Sequence, residues 1–178
     1  MSPLVVERSR AILHATGRDP VKMVHGLATS DIEAVTPEQG AYALFLTAKG
    51  RIVADARIID DGASGLWIET DPTAVPGLQA HLKKFVPPLF ARFEDVSDRW
   101  AVIGVYGDGA SEVAGAAVAG VVAGAPEERV VRFDDGFALR TGLTGEDGWD
   151  LFVPAPERDR GVEGLLDAGG RPGDPEVL

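Results

Sequence analysis

Between Arg140 and Pro154 the chain reads Arg-Thr-Gly-Leu-Thr-Gly-Glu-Asp-Gly-Trp-Asp-Leu-Phe-Val-Pro, three glycines and three carboxylates set between two strand-like apolar runs. That composition suits a hairpin built around a ligand. Gly142, Gly145 and Gly148 supply positions where φ can be positive and where backbone can approach a flat molecule. Thr144, Glu146 and Asp147 supply hydrogen-bonding groups at the tip. The same residues also describe a Gly-rich hairpin whose acidic tip is merely solvated. Other chemistry is poorly supported. Gly107-Asp108-Gly109 has Glu112 where a dinucleotide loop needs its third glycine. Ser64 and Ser111 lack a Gly-x-Ser-x-Gly setting. The chain has no cysteine, and His14, His25 and His81 lack short ligand spacing, so no metal site is expected.

The elements that must position this hairpin follow a repeated order. Ala11 to Thr16 reads as a strand, followed by a helix start at Asp19-Pro20, where Asp suits the cap and Pro the first turn. Strand-like runs Ala41 to Thr47, Ile52 to Ile59 and Leu66 to Thr70 are joined by turns at Lys49-Gly50 and Asp61-Gly62. A helix from Val75 to Phe85 ends at Pro87-Pro88. The order then begins again: strand Trp100 to Tyr106, a small-residue helix near Ser111 to Ala119, strands Arg129 to Phe133, Phe137 to Thr141 and Trp149 to Val153, and a helix Pro156 to Leu166 striped by Val162, Leu165 and Leu166. Two βαβββα units of ~80 residues predict an α+β fold of two ferredoxin-like halves with antiparallel sheets. The boundaries expected are 1–98 and 99–168 for the halves, with 169–178 a loop-like end rich in Gly and Pro.

Composition narrows the partners. The net charge of −11 repels phosphate backbones, so direct nucleic-acid binding is not expected. No apolar run is long enough to span a membrane, and the N-terminus lacks a signal-peptide pattern, since Glu7 and Arg8 interrupt its apolar start. A cytoplasmic protein is expected.

The Arg140 to Gly148 stretch closely resembles the Arg-Thr-Gly-Tyr-Thr-Gly-Glu-Asp-Gly segment of the glycine-cleavage T-protein (aminomethyltransferase) superfamily, which binds tetrahydrofolate. Phe45-Leu46-Thr47-Ala48-Lys49-Gly50-Arg51-Ile52-Val53-Ala54-Asp55 is similar to its Phe-Leu-x-x-x-Gly-Arg-x-x-Ala-Asp segment. His25 to Asp31 resembles the Gln-Gly-x-x-Thr-x-Asp of the YgfZ-type branch, with His for Gln, and Tyr106 to Ala110 its Gly-x-x-Ala. In order, these matches run from about Thr16 to Pro154. The branch is linked to iron–sulfur cluster maintenance and tRNA modification, so the resemblance implies a folate-binding fold of the aminomethyltransferase type, tetrahydrofolate or a derivative as cofactor, and iron–sulfur proteins as partners. The branch's Lys-Gly-Cys motif and the family's Arg-containing segment lie beyond Leu178, so the chain is expected to be a fragment or truncated member. Uncovered apolar residues, along the last helix or on one sheet face, would then favour self-association into a homodimer.

The resemblance assigns Glu146 to the carboxylate that hydrogen-bonds the pteridine ring, whose edge presents adjacent N–H donors. Thr144 and Gly145 belong to the same tip. Arg140 either pairs with a folate carboxylate or makes an internal salt bridge. Asp55 is a polar strand position that could line the ligand channel, and Trp67 and Trp149 either stack on a pterin or pack in the core. Lys49, Gly50 and Arg51 most simply form a turn. The aminomethyltransferase branch carries a catalytic Asp whose counterpart falls within Val75-Pro76-Gly77-Leu78, where no carboxylate sits, with Asp71 several residues earlier. No catalytic residue is therefore assigned, and the expectation is a noncatalytic folate-binding protein of the YgfZ type. The alternative is a tetrahydrofolate-dependent aminomethyltransferase.

Overall fold

Ser9 and Arg10 separate two N-terminal strands that join different sheets: β1, Leu4–Arg8, and β2, Ala11–Thr16. The computed structural model describes residues 2–142 and 145–174. The chain divides into two compact units, Ser9–Ser97, and Met1–Arg8 with Asp98–Leu178.

In the Ser9–Ser97 unit, β2 is followed by α1, Pro20–His25, then β3, Ala41–Leu46, β4, Ile52–Asp60, β5, Leu66–Thr70, α2, Val75–Phe85, and β6, Arg92–Asp95. The sheet order is β3-β4-β5-β2-β6 and every pair is antiparallel. Alternation along the strands sends Leu13, Ala15, Phe45, Ala54, Ala56, Ile58, Leu66 and Ile68 to one face, where they bury with Val24 of α1 and Leu78 and Leu82 of α2. Pro20 opens α1 as expected. Asp19 makes no side-chain capping bond; its backbone N–H instead donates to Phe90 O at 2.9 Å, which fixes the entry to the helix.

The other unit places β7, Trp100–Tyr106, α3, Ala110–Ala117, β8, Val130–Phe133, β9, Gly136–Arg140, β10, Gly148–Pro154, α4, Arg158–Asp167, and β11, Arg171–Pro172, beside β1 in the order β11-β1-β7-β10-β9-β8. Its core collects Ile103, Val105, Ala138, Trp149, Leu151 and Val153 under α3 and α4. The strand orders β3-β4-β5-β2-β6 and β8-β9-β10-β7-β1 are the same pattern, with β1 filling the place that β6 fills in the other unit. The α+β fold with two antiparallel-rich sheets is therefore as the element order predicts.

Three strands escape the sequence pattern. β1 leaves the first half of the chain and pairs antiparallel with β7 from Leu4↔Tyr106 to Arg8↔Val102. β6, Arg-Phe-Glu-Asp, has one apolar residue and is specified by backbone pairing to β2. β11 pairs with β1 within the stretch expected as loop. The apolar stripe of α4 also differs from expectation. Leu165 is fully buried and Val162 and Leu166 pack on the unit's own core, so this stripe is not an uncovered surface for self-association. Among the described residues no helix is long and apolar enough to cross a membrane.

Candidate functional site

Two motifs more than thirty residues apart in sequence meet where β7 ends. Gly107, at φ +101°, turns the chain out of β7, and Gly109, at φ +83°, leads it into α3. The Gly107 N–H donates to Asp147 O at 2.8 Å, and the Ser111 N–H, in the first turn of α3, donates to Asp147 Oδ2 at 2.8 Å. One residue of the 145–147 bend thus clamps the turn through its backbone and caps the helix through its side chain. Ser111 is engaged on its other side as well, its Oγ accepting from Trp149 Nε1 at 3.0 Å, and Trp149 is fully buried. Trp149 is thereby a core residue with no face for a ligand.

Arg140 takes the internal role. Its Nη1 donates to Gly148 O at 3.0 Å and to Thr141 O, and its Nη2 lies 3.4 Å from Asp147 Oδ1. The guanidinium therefore ties both arms of the hairpin to the bend. Gly145 adopts φ +72° and donates to Gly142 O at 2.9 Å. Glu146 is exposed, and its Oε2 lies so close to Gly107 that a Cβ there would come within 3.4 Å of it. The bend thus divides its two carboxylates: Asp147 is directed into the fold, and Glu146 presents an acceptor beside the Gly107 turn. Thr144 lies outside the described residues.

The same unit holds a buried polar group that sequence reasoning missed. Tyr106 Oη donates to Asp150, and Arg8 Nη1 donates to Tyr106 Oη at 3.1 Å and to Asp150 Oδ2 at 3.0 Å. Asp150 is fully buried, and burial followed by the Asp150 charge pushes the Tyr106 phenol far above its ordinary range. The available signal was a lone acid inside the apolar run Trp-Asp-Leu-Phe-Val-Pro.

In the Ser9–Ser97 unit, Asp55 and Trp67 lie on the sheet face turned away from the helices, because the residues flanking them along β4 and β5 point into the helix-covered core. Half-buried Asp55 accepts from Tyr42 Oη at 3.2 Å. Half-buried Trp67 stacks on His14 with ring centroids 4.0 Å apart, and His14 Nε2 bonds Asp61 Oδ2 at 2.9 Å. The two candidates share a face without being neighbours. Between them Arg57 and Glu69 face each other across the strands, with Arg57 Nε donating to Glu69 Oε2 at 2.7 Å and Arg10 Nε to Glu69 Oε1. Burial alone would raise the Glu69 carboxyl, but the Arg57 charge and hydrogen bond, with those of Arg10, outweigh it and hold the group at about 2.

Two further sequence positions find structural roles. Val75-Pro76-Gly77-Leu78 forms the first turn of α2 and buries Val75 and Leu78 in the core, so a carboxylate at either would face packed side chains. Asp71 accepts from Thr73 N at 2.8 Å and from its hydroxyl at 2.5 Å, which lowers its carboxyl while it caps the turn before α2. Gly50, at φ +75°, makes the expected tight turn, with Thr47 N donating to Arg51 O at 2.8 Å. Histidine spacing also passes over His25, Asp31 and Glu33, whose ligand atoms lie within 4.8 Å of one another at an exposed corner.

Known proteins resemble this chain in sequence and fold. An iron-sulfur cluster assembly factor IBA57 homolog, mitochondrial, from Mycosarcoma maydis is 29% identical over 106 residues, 53% of this chain and 26% of that protein. An aminomethyltransferase from Rubrobacter xylanophilus is 27% identical over 160 residues, 88% of this chain and 43% of that one. The tRNA-modifying protein YgfZ from Escherichia coli is 35% identical over 75 residues, 42% of this chain and 23% of that protein. The chain thus spans less than half the length of these relatives. The glycine cleavage system aminomethyltransferase T from Bartonella henselae has the same fold, with a TM-score of 0.82 at 18% identity over 96% of this chain and 47% of that one. Residues 10–173 match the GCVT N-terminal domain, and the chain belongs to that family.

Proposed function

We propose that this domain binds a reduced folate and acts as a noncatalytic member of the YgfZ and IBA57 kind, supporting iron–sulfur cluster assembly or tRNA modification. The observation that carries the reading is the division of labour at the bend. Asp147 is consumed by the Gly107 turn and α3, whereas Glu146 is exposed and lies beside that turn. A pterin edge offers an amine and a ring N–H side by side, which a carboxylate accepts as a charge-assisted pair. Gly145 lets the bend approach a flat ring closely. Arg140 supports the site by holding the bend. Iron–sulfur proteins are the partners this reading implies, and the cytoplasm its setting.

Calorimetric titration with 5-formyltetrahydrofolate tests the proposal. Loss of a charge-assisted hydrogen bond costs ~1.5–3 kcal/mol, so Glu146→Ala should weaken binding roughly 10- to 150-fold. Unchanged affinity would remove Glu146 from the site.

A second reading, a tetrahydrofolate-dependent aminomethyltransferase, is favoured by Asp55. It is a half-buried carboxylate on the helix-free sheet face that accepts a hydrogen bond from Tyr42. Trp67 offers an aromatic surface on the same face. Methylene-transfer turnover lost 10²- to 10⁴-fold in Asp55→Asn would establish this reading, because a positioned acid or base contributes about that much. No turnover in the unaltered chain leaves the binding reading in place.

A further inference from the structure

We propose that the groove bounded by α4, the end of α3 and the β8–β9 turn docks a short basic peptide segment of a partner protein, anchored by apolar side chains. The groove encloses about 760 Å³ on the helix-covered side of the sheet, within the Asp98–Leu178 part of the chain. Its floor is apolar, built from Phe133 beside Leu151 and Val153 of β10. That volume has room for apolar anchor side chains, and a groove with an apolar floor and a charged rim is a recurring peptide-binding geometry.

One wall is α4, which carries two internal glycines, each costing a helix ~1 kcal/mol against alanine. Gly161 has an internal reason, since a Cβ there would come within 2.7 Å of Ile103 Cδ1. Gly164 has none: a Cβ there would meet no atom within 4 Å. The space it leaves opens into the groove.

Charge selects the occupant. The rim carries Asp134, Asp135 and Glu157 against a single cation, Arg160, whose Nη1 lies 3.5 Å from Glu157 Oε2. Asp134, at φ +33°, and Asp135 form the two-residue turn between β8 and β9, so the pairing of these strands fixes both carboxylates at the rim. Carboxylates around an apolar floor favour lysine or arginine beside the apolar anchors and disfavour an acidic segment.

Fluorescence anisotropy tests this with a short labelled peptide of alternating leucine and lysine pairs, and with its glutamate-for-lysine counterpart, at physiological ionic strength. Gly164→Leu fills the groove from a helical position where a side chain has room, so folding is retained. The lysine peptide should bind the unaltered chain, and the glutamate peptide should not. Binding should weaken roughly 10-fold in Gly164→Leu and by about the same factor in Asp134→Asn/Asp135→Asn. Folate affinity should be unchanged in both, which separates this surface from the Glu146 site. Failure of the lysine peptide to bind would overturn the proposal, as would equal binding to Gly164→Leu, which would mark attraction to a generally acidic surface.

Discussion

Glu69→Gln removes the charge that two guanidinium groups share on the helix-free face of the Ser9–Ser97 sheet. In the fold this carboxyl titrates at about 2 against an ordinary 4.5. A folded-state value below the unfolded one gives stability that is fully present above the unfolded value and lost as pH falls through the folded one. Each tenfold change in proton affinity is worth about 1.4 kcal/mol, so the ionised Glu69 contributes roughly 3 kcal/mol at pH 7. Less than half of that remains at about pH 3, and little at about pH 2. Urea unfolding of both proteins, fitted with a common slope, should therefore show the glutamine variant about 3 kcal/mol less stable at neutral pH, with the gap narrowing by roughly 2 kcal/mol at pH 3. In a thermal scan the neutral-pH difference corresponds to a Tm lower by roughly 6–12 °C for a chain of this size. A gap of equal size at both pH values would refute the reasoning, because it would mean that Glu69 titrates alike in the folded and unfolded chain.

Other perturbations probe the bend and its supports. Asp147→Ala removes the acceptor for Ser111 N–H and should lower stability by about 1 kcal/mol in urea unfolding, with Asp147→Asn recovering most of it. Glu146→Ala should stay within roughly 0.5 kcal/mol of the unaltered chain in the same assay, since the side chain is exposed, so a loss of folate affinity there reports contact and not unfolding. Gly148→Ala would press a Cβ to 2.7 Å from Tyr106 Cδ1 and 3.2 Å from Thr141 O, and should cost about 1–3 kcal/mol, read as a lowered Tm. Arg8→Ala leaves the buried Asp150 without that guanidinium and should cost about 3 kcal/mol in urea, much less in an Asp150→Asn background.

Most elements were legible because their signals are local. Strong apolar alternation and Gly or Pro punctuation marked β2, β5, β7 and α2, whose observed bounds are those the sequence predicts. The strands it missed are specified from a distance. β6 has a single apolar residue, and nothing within Leu4–Arg8 indicates that β1 completes a sheet begun ninety residues later. The site divided in the same way. The motif drew attention to Glu146, Asp147 and Arg140, but whether a carboxylate points inward depends on the Gly107 turn, which sequence spacing cannot bring to the hairpin. Asp150 and Tyr106 stayed hidden because they become partners only through the register that sets Gly148 opposite Tyr106 and Asp150 opposite Gly104.

That register also explains why one short bend can hold two acids of opposite use. Backbone pairing delivers the start of β10 to the end of β7, so Asp147 arrives where Gly107 N–H and the first turn of α3 both lack acceptors. An acid satisfies both groups, one through its carbonyl and one through its side chain, and is thereby removed from ligand chemistry. The carboxylate of its neighbour Glu146 lies alongside the same turn, where a Cβ on Gly107 would meet Oε2 at 3.4 Å, an ordinary van der Waals contact. Glycine is required at 107 by its positive φ, which makes the turn. An alanine there would be strained in backbone, so the geometry of the candidate site depends on a residue that contributes no functional group to it.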